Sequence, residues 1–372
     1  MEKILFRKFL FDCLSFFLIT LLSASVIVWV FQAVNLLDIV IEDGRNYLTY
    51  LKITMLNFPK ILSKLIPFSF FFSFSFVIVR YEMNNELMIY WNFGISKIKI
   101  VNFFLYFSFL IMIFQLLFTT YLVPNFQNKA RSYVKTSDIN FFKNFTRPKK
   151  FNDTLKDLTI FSEDLDKDGN LLNIYMKKKI SANEFQITYS KKGKFETLNG
   201  SEFLVLSEGE TITSNKDNIT TFTFSKSNFN LSNLKSHFTT YTKTQEINTL
   251  ELLECIKYFL KKKNSSKIKN CNNEKPIPII LETYKRFIVP MYLPVLMLVA
   301  MLLIVFPKEN QNYKKIRYAT FFLGFIIIIF SETTLRLLTS NIFQNILLSL
   351  LPIIFVLGLY TYLLNKFSFK KK

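Results

Sequence analysis

Histidine is nearly missing from this 372-residue chain: His237 is the only one. A catalytic His dyad or a His-ligated metal site therefore has no second partner, and a solvated loop histidine is the plainer reading of His237. Glycine is almost as scarce, with eight residues, and none opens a G-x-x-x-x-G-K-[ST] loop. The chain thus carries no P-loop ATPase site of its own. Neither a G-x-S-x-G elbow nor an H-E-x-x-H helix is found, which removes the commonest hydrolase and zinc-protease signatures. The three cysteines, Cys13, Cys255 and Cys271, make no metal-type cluster. Cys255 and Cys271 share a polar region and would be able to pair in an oxidising compartment, a point their spacing leaves open. Asp164, Asp166, Asp168 and Gly169 imitate the start of an EF-hand loop, but Tyr175 stands where the bidentate Glu belongs. Asp168-Gly169 reads instead as a hairpin turn. No cofactor and no metal are expected.

What the chain has in abundance is long apolar runs. Half of its residues are hydrophobic and 44 are Phe. They fall in blocks of about 20, the length that crosses roughly 30 Å of hydrocarbon at 1.5 Å per residue. Spans are expected at about 9–37, 56–79, 100–123, 287–306, 318–338 and 342–364. They are helices, because a lone strand cannot satisfy its backbone in lipid and the blocks are too long for barrel strands. Lys3, Arg7 and Lys8 ahead of Ser23-Ala24-Ser25 imitate a signal peptide. The apolar run continues to Leu37, however, so an uncleaved first span is expected.

Fourteen basic residues flank one side of these spans, including Lys3, Arg7, Arg80, Lys97, Lys314 and Lys370. The opposite short loops hold only Arg45, Lys52 and Arg336, with Asp38, Glu42 and Asp43 beside them. By the positive-inside rule both termini are cytoplasmic and the long insert faces outward. That insert alternates with period two in Leu172–Met176, Phe185–Tyr189, Phe203–Leu206 and 219–224, between Gly, Asn and Asp turns. An antiparallel, jellyroll-like all-β domain is expected. The fold class is thus six transmembrane helices plus an all-β jellyroll-like domain. Its parts are 1–123 (three spans), 124–248 (β domain), 249–286 (amphipathic helix and linker) and 287–372 (three spans). The amphipathic helix is read from Leu250, Leu253, Ile256 and Leu260, and Pro276 and Pro278 mark re-entry to the membrane.

The segment after the second span, from Arg80 to Ser96, holds a short helix at about 85–93. Asn85 can cap it and Gly94 can end it. Leu87, Tyr90 and Trp91 share one face, and Glu86 sits in the first turn, where the helix dipole favours a carboxylate. It is either a plain interfacial helix or a docking knob that offers Glu86 to a basic partner.

The stretch Asn85-Glu86-Leu87-Met88…Gly94-Ile95-Ser96, with Glu282-x-x-x-Arg286-x-x-x-Pro290 and the three-plus-three layout, resembles the LptF/LptG permeases of the lipopolysaccharide-export ABC transporter. The resemblance covers essentially the whole chain, although Tyr90, Trp91 and Asn92 replace the small residues usual there. It leans to the F-type through the 282–290 stretch. It implies a non-catalytic permease in a Gram-negative inner membrane, paired with a paralogous permease and driven by a cytoplasmic ABC ATPase dimer. ATPase coupling would fall to Glu86, Leu87, Tyr90, Trp91 and Gly94. Lipopolysaccharide would pass to a periplasmic β-jellyroll bridge protein joined edge to edge.

Lys60 and Lys64 lie one helical turn apart at the start of the second span. They would either bind lipid phosphates or snorkel to the interface. Glu332 and Arg336 have the spacing of an i,i+4 ion pair, with gating as the sharper reading. The insert carries 28 Lys and Arg against 18 Asp and Glu, which suits an anionic glycolipid. No nucleic-acid partner is expected of a domain facing away from the cytoplasm. The alternatives are a permease of another ABC exporter, for lipoprotein or peptide, and a membrane-anchored periplasmic sensor or scaffold.

Overall fold

The computed structural model describes residues 2–37, 47–136, 148–155, 157–166, 170–181, 184–198, 201–214, 218–230, 244–260, 276–306, 308, 311–339 and 341–368. His237, Cys271, Asp168 and Gly169 lie outside them. Among the described residues six helices are long and apolar enough to cross a membrane, and they overlap the six expected apolar blocks.

The first, α1 (Glu2–Asn35), is one unbroken helix through Ser23-Ala24-Ser25. Its hydroxyls turn back on the preceding turn: Thr20 Oγ1 donates to Phe16 O at 2.9 Å and Ser25 Oγ to Leu22 O at 2.9 Å. That internal bonding lets polar residues sit in an apolar helix without an unmet donor. The second span, α2 (Tyr47–Met83), carries Pro59 and Pro67 inside it. A short helix, α3 (Glu86–Asn92), follows. The third span is α4 (Lys97–Leu117), a π-helical turn (Phe118–Leu122) and α5 (Val123–Thr136).

Beyond the sheet come a 3₁₀ turn (Thr244–Glu246) and α6 (Thr249–Leu260). The fourth span is α7 (Ile277–Phe287), a 3₁₀ turn (Val289–Met291) and α8 (Tyr292–Val305). Then follow α9 (Tyr313–Thr333), a 3₁₀ turn (Thr334–Leu337) and α10 (Ile342–Ser368).

The chain divides into two compact units: Met1–Gln32, Leu56–Lys129 and Lys243–Lys372 in one, Ala33–Met55 and Ala130–Thr242 in the other. In the helical unit α8 is the axis, since Leu302 is its only residue that is not fully buried. Lipid is as apolar as leucine, so such helices are held by packing rather than by exclusion of water. Phenylalanine supplies that packing: Phe9 stacks on Tyr81 at 4.4 Å and meets Phe104 edge-on at 4.8 Å. Gly324 of α9 lets the Phe71 ring approach so closely that an added Cβ would stand 2.0 Å from it.

The second unit holds one six-stranded antiparallel sheet in sequence order, β1-β2-β3-β4-β5-β6. The strands are β1 (Asn152–Leu155), β2 (Leu158–Leu165), β3 (Leu171–Ser181), β4 (Glu184–Leu198), β5 (Ser201–Ser214) and β6 (Ile219–Asn230). All four alternating runs of the sequence fall in strands. The domain is all-β and antiparallel as expected, and among the described residues it is an up-and-down meander without Greek-key crossings. Leu158, Ile160, Leu171, Ile174, Met176, Leu204 and Leu206 form its buried face. Leu171 and Ile174 are both buried although three apart. Asn173, between them, has φ of 48°, a left-handed backbone that interrupts the alternation while the register with β2 and β4 stays unchanged. Glu208 on β5, with φ of 52°, is a second left-handed position in an unshifted register.

The helix expected near 249 is α6, but it is rotated from the expected face. Leu252 and Cys255 are buried, while Leu250 and Leu253 are exposed. The inward stripe joins Ile247 and Ile279, so it was tertiary packing, not the strongest apolar period, that chose the face. Cys255 is disulfide-bonded, and Cys13 is free and buried.

Candidate functional site

Two polar assemblies interrupt the helical unit, at opposite ends of the second to fourth spans. The first is built around α3. Asn85 stands at its N-cap with φ of 63° and makes no side-chain cap bond, contrary to expectation; Asn84 Nδ2 instead donates to Glu86 Oε1 at 3.2 Å. The C-terminal stop is as expected. Gly94 has φ of 71°, its N–H donates to Trp91 O at 3.0 Å, and the Ile95 N–H donates to Tyr90 O at 3.0 Å. This is a Schellman closure, which needs a residue free to adopt positive φ at Gly94.

The face assignment changes. Leu87 and Tyr90 are 1% and 2% exposed and turn into the bundle, where the Tyr90 hydroxyl donates to Leu5 O at 2.9 Å. Burial pushes the Tyr90 hydroxyl well above its ordinary titration range, and the Glu86 carboxylate adds to the shift. Trp91 is half-buried, with Lys97 Nζ 5.2 Å from its ring centroid. None of these three side chains is presented outward. The exposed face of α3 consists of Met88, Ile89, Asn92 and Phe93, with Glu86 half-buried at its margin.

The second assembly centres on Arg286 of α7, 2% exposed. Its Nε donates to Glu282 Oε1 at 3.1 Å, one helical turn back. Its Nη1 donates to Ile247 O at 3.0 Å and Thr249 Oγ1 at 2.9 Å, and its Nη2 donates to Gln245 O at 3.1 Å. A planar guanidinium suits this task, since its fixed fork reaches several acceptors at once. The third span joins through its π-helical turn: Thr119 Oγ1 donates to Arg286 O at 3.0 Å, and Thr249 Oγ1 donates to Thr120 O. A π turn leaves carbonyls outside the regular ladder, free for such bonds. The second span joins through Lys60, whose Nζ donates to Gln245 Oε1 at 2.7 Å.

A polar cavity of about 70 Å³ lies here, lined by Lys60, Lys64, Gln115, Lys285, Glu282 and Glu332 among others. That is room for about two waters or one small polar group, not for a whole lipid. Gln115 Oε1 is buried there without a partner. Lys60 and Lys64 are brought together as expected, but they differ: Lys60 is half-buried and bonded, Lys64 is exposed. Glu332 and Arg336 form no ion pair. The helix tightens to 3₁₀ at Thr334, which breaks the i,i+4 geometry, and both side chains are exposed. Thr119, Thr249 and Gln245 had no sequence signal that would single them out. The Glu282-Arg286 spacing in an apolar stretch was the one legible sign of the clamp.

Among the described residues no group of three or more His, Cys, Asp or Glu could hold a metal. Six helices long and apolar enough to cross a membrane among the described residues, with a meander sheet between the third and fourth in sequence, define a multi-pass membrane protein. The chain belongs to the lipopolysaccharide export system permease LptF/LptG family, whose model matches residues 7–366. It is accordingly a multi-pass inner-membrane protein with a permease role in lipopolysaccharide export. No curated protein matches the chain.

Proposed function

We propose that the chain is one half of a heterodimeric, ATP-driven permease that lifts lipopolysaccharide from the outer leaflet of the inner membrane. It hands the lipid to a periplasmic bridge of β-jellyroll modules. The observation that carries this reading is α3 itself, a helix closed at its C-terminus by Gly94 between the second and third spans, whose exposed face, Met88, Ile89 and Phe93, has an apolar character unlike a solvated loop. A cytoplasmic ATPase dimer docks there, with Glu86 meeting a basic residue of the ATPase. Leu87, Tyr90, Trp91 and Gly94 act from behind, holding the pose of the helix.

The basic flanks support cytoplasmic termini, and the disulfide at Cys255 suits an insert in an oxidising compartment. Lys64, exposed beside the polar cavity, meets a lipid phosphate, while Lys60 holds Gln245. β6 pairs on one side only among the described residues, and such an edge accepts a further strand from the next module. The test is purification of the tagged chain in mild detergent. An ABC ATPase and a second six-span permease should come with it, and depletion should strand lipopolysaccharide at the inner membrane. Purification of the chain with neither partner would remove the assignment.

A further inference from the structure

Two charged side chains that flank α3 hold the cytoplasmic end of the fourth span. Lys97, the first residue of α4, places its Nζ 5.2 Å from the Trp91 ring centroid and 3.0 Å from Ile304 O in the last turn of α8. A cation is favoured there, because the terminal carbonyls of a helix carry partial negative charge. Glu82, just before α3, accepts the Lys308 backbone N–H at 2.9 Å through Oε1. Both ends of the segment that presents α3 are therefore tied to Ile304 and Lys308, at the end of α8. Lys366 adds a third hold, with Nζ 5.8 Å from the Phe306 ring centroid. A helix so thoroughly buried as α8 cannot slide independently of its neighbours. A force applied at its end displaces it as a rod, and its far end continues through α7 into the Arg286 clamp.

We propose that Glu82 and Lys97 are positioning residues that transmit movement of α3 to the fourth span, with Trp91 serving as the face that Lys97 grips. This rests on the reading of α3 as the ATPase dock. It adds a specific route: displacement of α3, together with the ends of α2 and α4 that carry Glu82 and Lys97, pulls on Lys308 N–H and Ile304 O.

The test uses the full complex of this chain with its partner permease and ATPase in lipid nanodiscs, measuring glycolipid released per ATP hydrolysed. Glu82→Ala and Lys97→Gln should retain the ATPase and hydrolyse ATP, yet release about tenfold less glycolipid per ATP, as expected for a lost coupling energy. Glu82→Gln keeps an acceptor oxygen and Lys97→Arg keeps a donor cation, so each should recover most of that ratio. A purely structural role would lower yield and thermal stability with the ratio unchanged. An unchanged ratio in both Glu82→Ala and Lys97→Gln overturns the route while leaving the dock intact. If the unaltered chain holds no ATPase, the dock itself is wrong and the route falls with it. Should Glu82→Ala fail to assemble, Lys97→Gln and its Lys97→Arg counterpart carry the same comparison.

Discussion

At the scale of single residues, Arg286 carries the greatest burden. Its ion pair with Glu282 is only 3% and 11% exposed at the two side chains. Replacement of the cation alone strands a buried carboxylate, which costs about 3–5 kcal/mol, whereas exchange of both partners for apolar groups is far milder. Arg286→Ala should therefore lower the thermal stability of the detergent-solubilised protein more than the double variant Glu282→Leu, Arg286→Met does. Transport should fail in both, because the three hydrogen bonds that hold 245–249 go with the guanidinium. Gly94 is the opposite case, with nothing within 4 Å of an added Cβ. Gly94→Ala should cost about 1 kcal/mol through its positive φ alone, and Gly94→Asn less, a difference that thermal denaturation resolves. Tyr90 offers a pH argument. Its folded-state value is raised, so the neutral hydroxyl is stabilised, and that contribution is complete below the unfolded value of about 10. Tyr90→Phe should therefore lose the same stability at every pH between 6 and 9, roughly the ~1 kcal/mol of one hydrogen bond.

At the scale of elements, α3 separates what holds a helix in place from what it shows to a partner. Ile89→Asp adds a charge to the exposed face without touching Leu87 or Tyr90. It should abolish ATPase co-purification while leaving chain yield intact; a retained ATPase would move the dock elsewhere. The contact of α9 on α2 depends on Gly324 because the Phe71 ring occupies the space of a side chain. Gly324→Leu should force the two spans apart and reduce monodisperse yield in size-exclusion chromatography, and Phe71→Ala in the same chain should restore part of it. In the sheet, β6 is the long edge. A proline at Phe222 removes a donor from one strand only, and crosslinking of the β domain to its jellyroll neighbour should drop if that edge is the one used.

At the scale of the whole molecule, the three spans ahead of the sheet and the three behind it make the two assemblies complementary. One sits where the second span ends and the third begins, the other where the second begins and the third ends. Between them runs α8, the most enclosed helix of the bundle. In the proposed exporter, an ATPase on the far side of the membrane would need such a connection to move a lipid. Topology reporters should place the sheet outside the cytoplasm and both termini within it, and thiol labelling should find Cys255 protected until a reductant is added.

Much of this was legible in the residues alone. Six apolar blocks, their basic flanks and four alternating runs determine spans and strands because lipid and the pleat impose fixed lengths and periods. The family-like stretches near 85 and 282 marked both assemblies. Other features were decided only when the chain folded: which face of α3 and α6 turns inward, the failure of Glu332 and Arg336 to pair, and the partners of Arg286, Lys97 and Glu82. Helical spacing says which side chains share a face, but not which neighbour that face will meet. A hydrogen bond between residues 39 or 226 positions apart has no local signature.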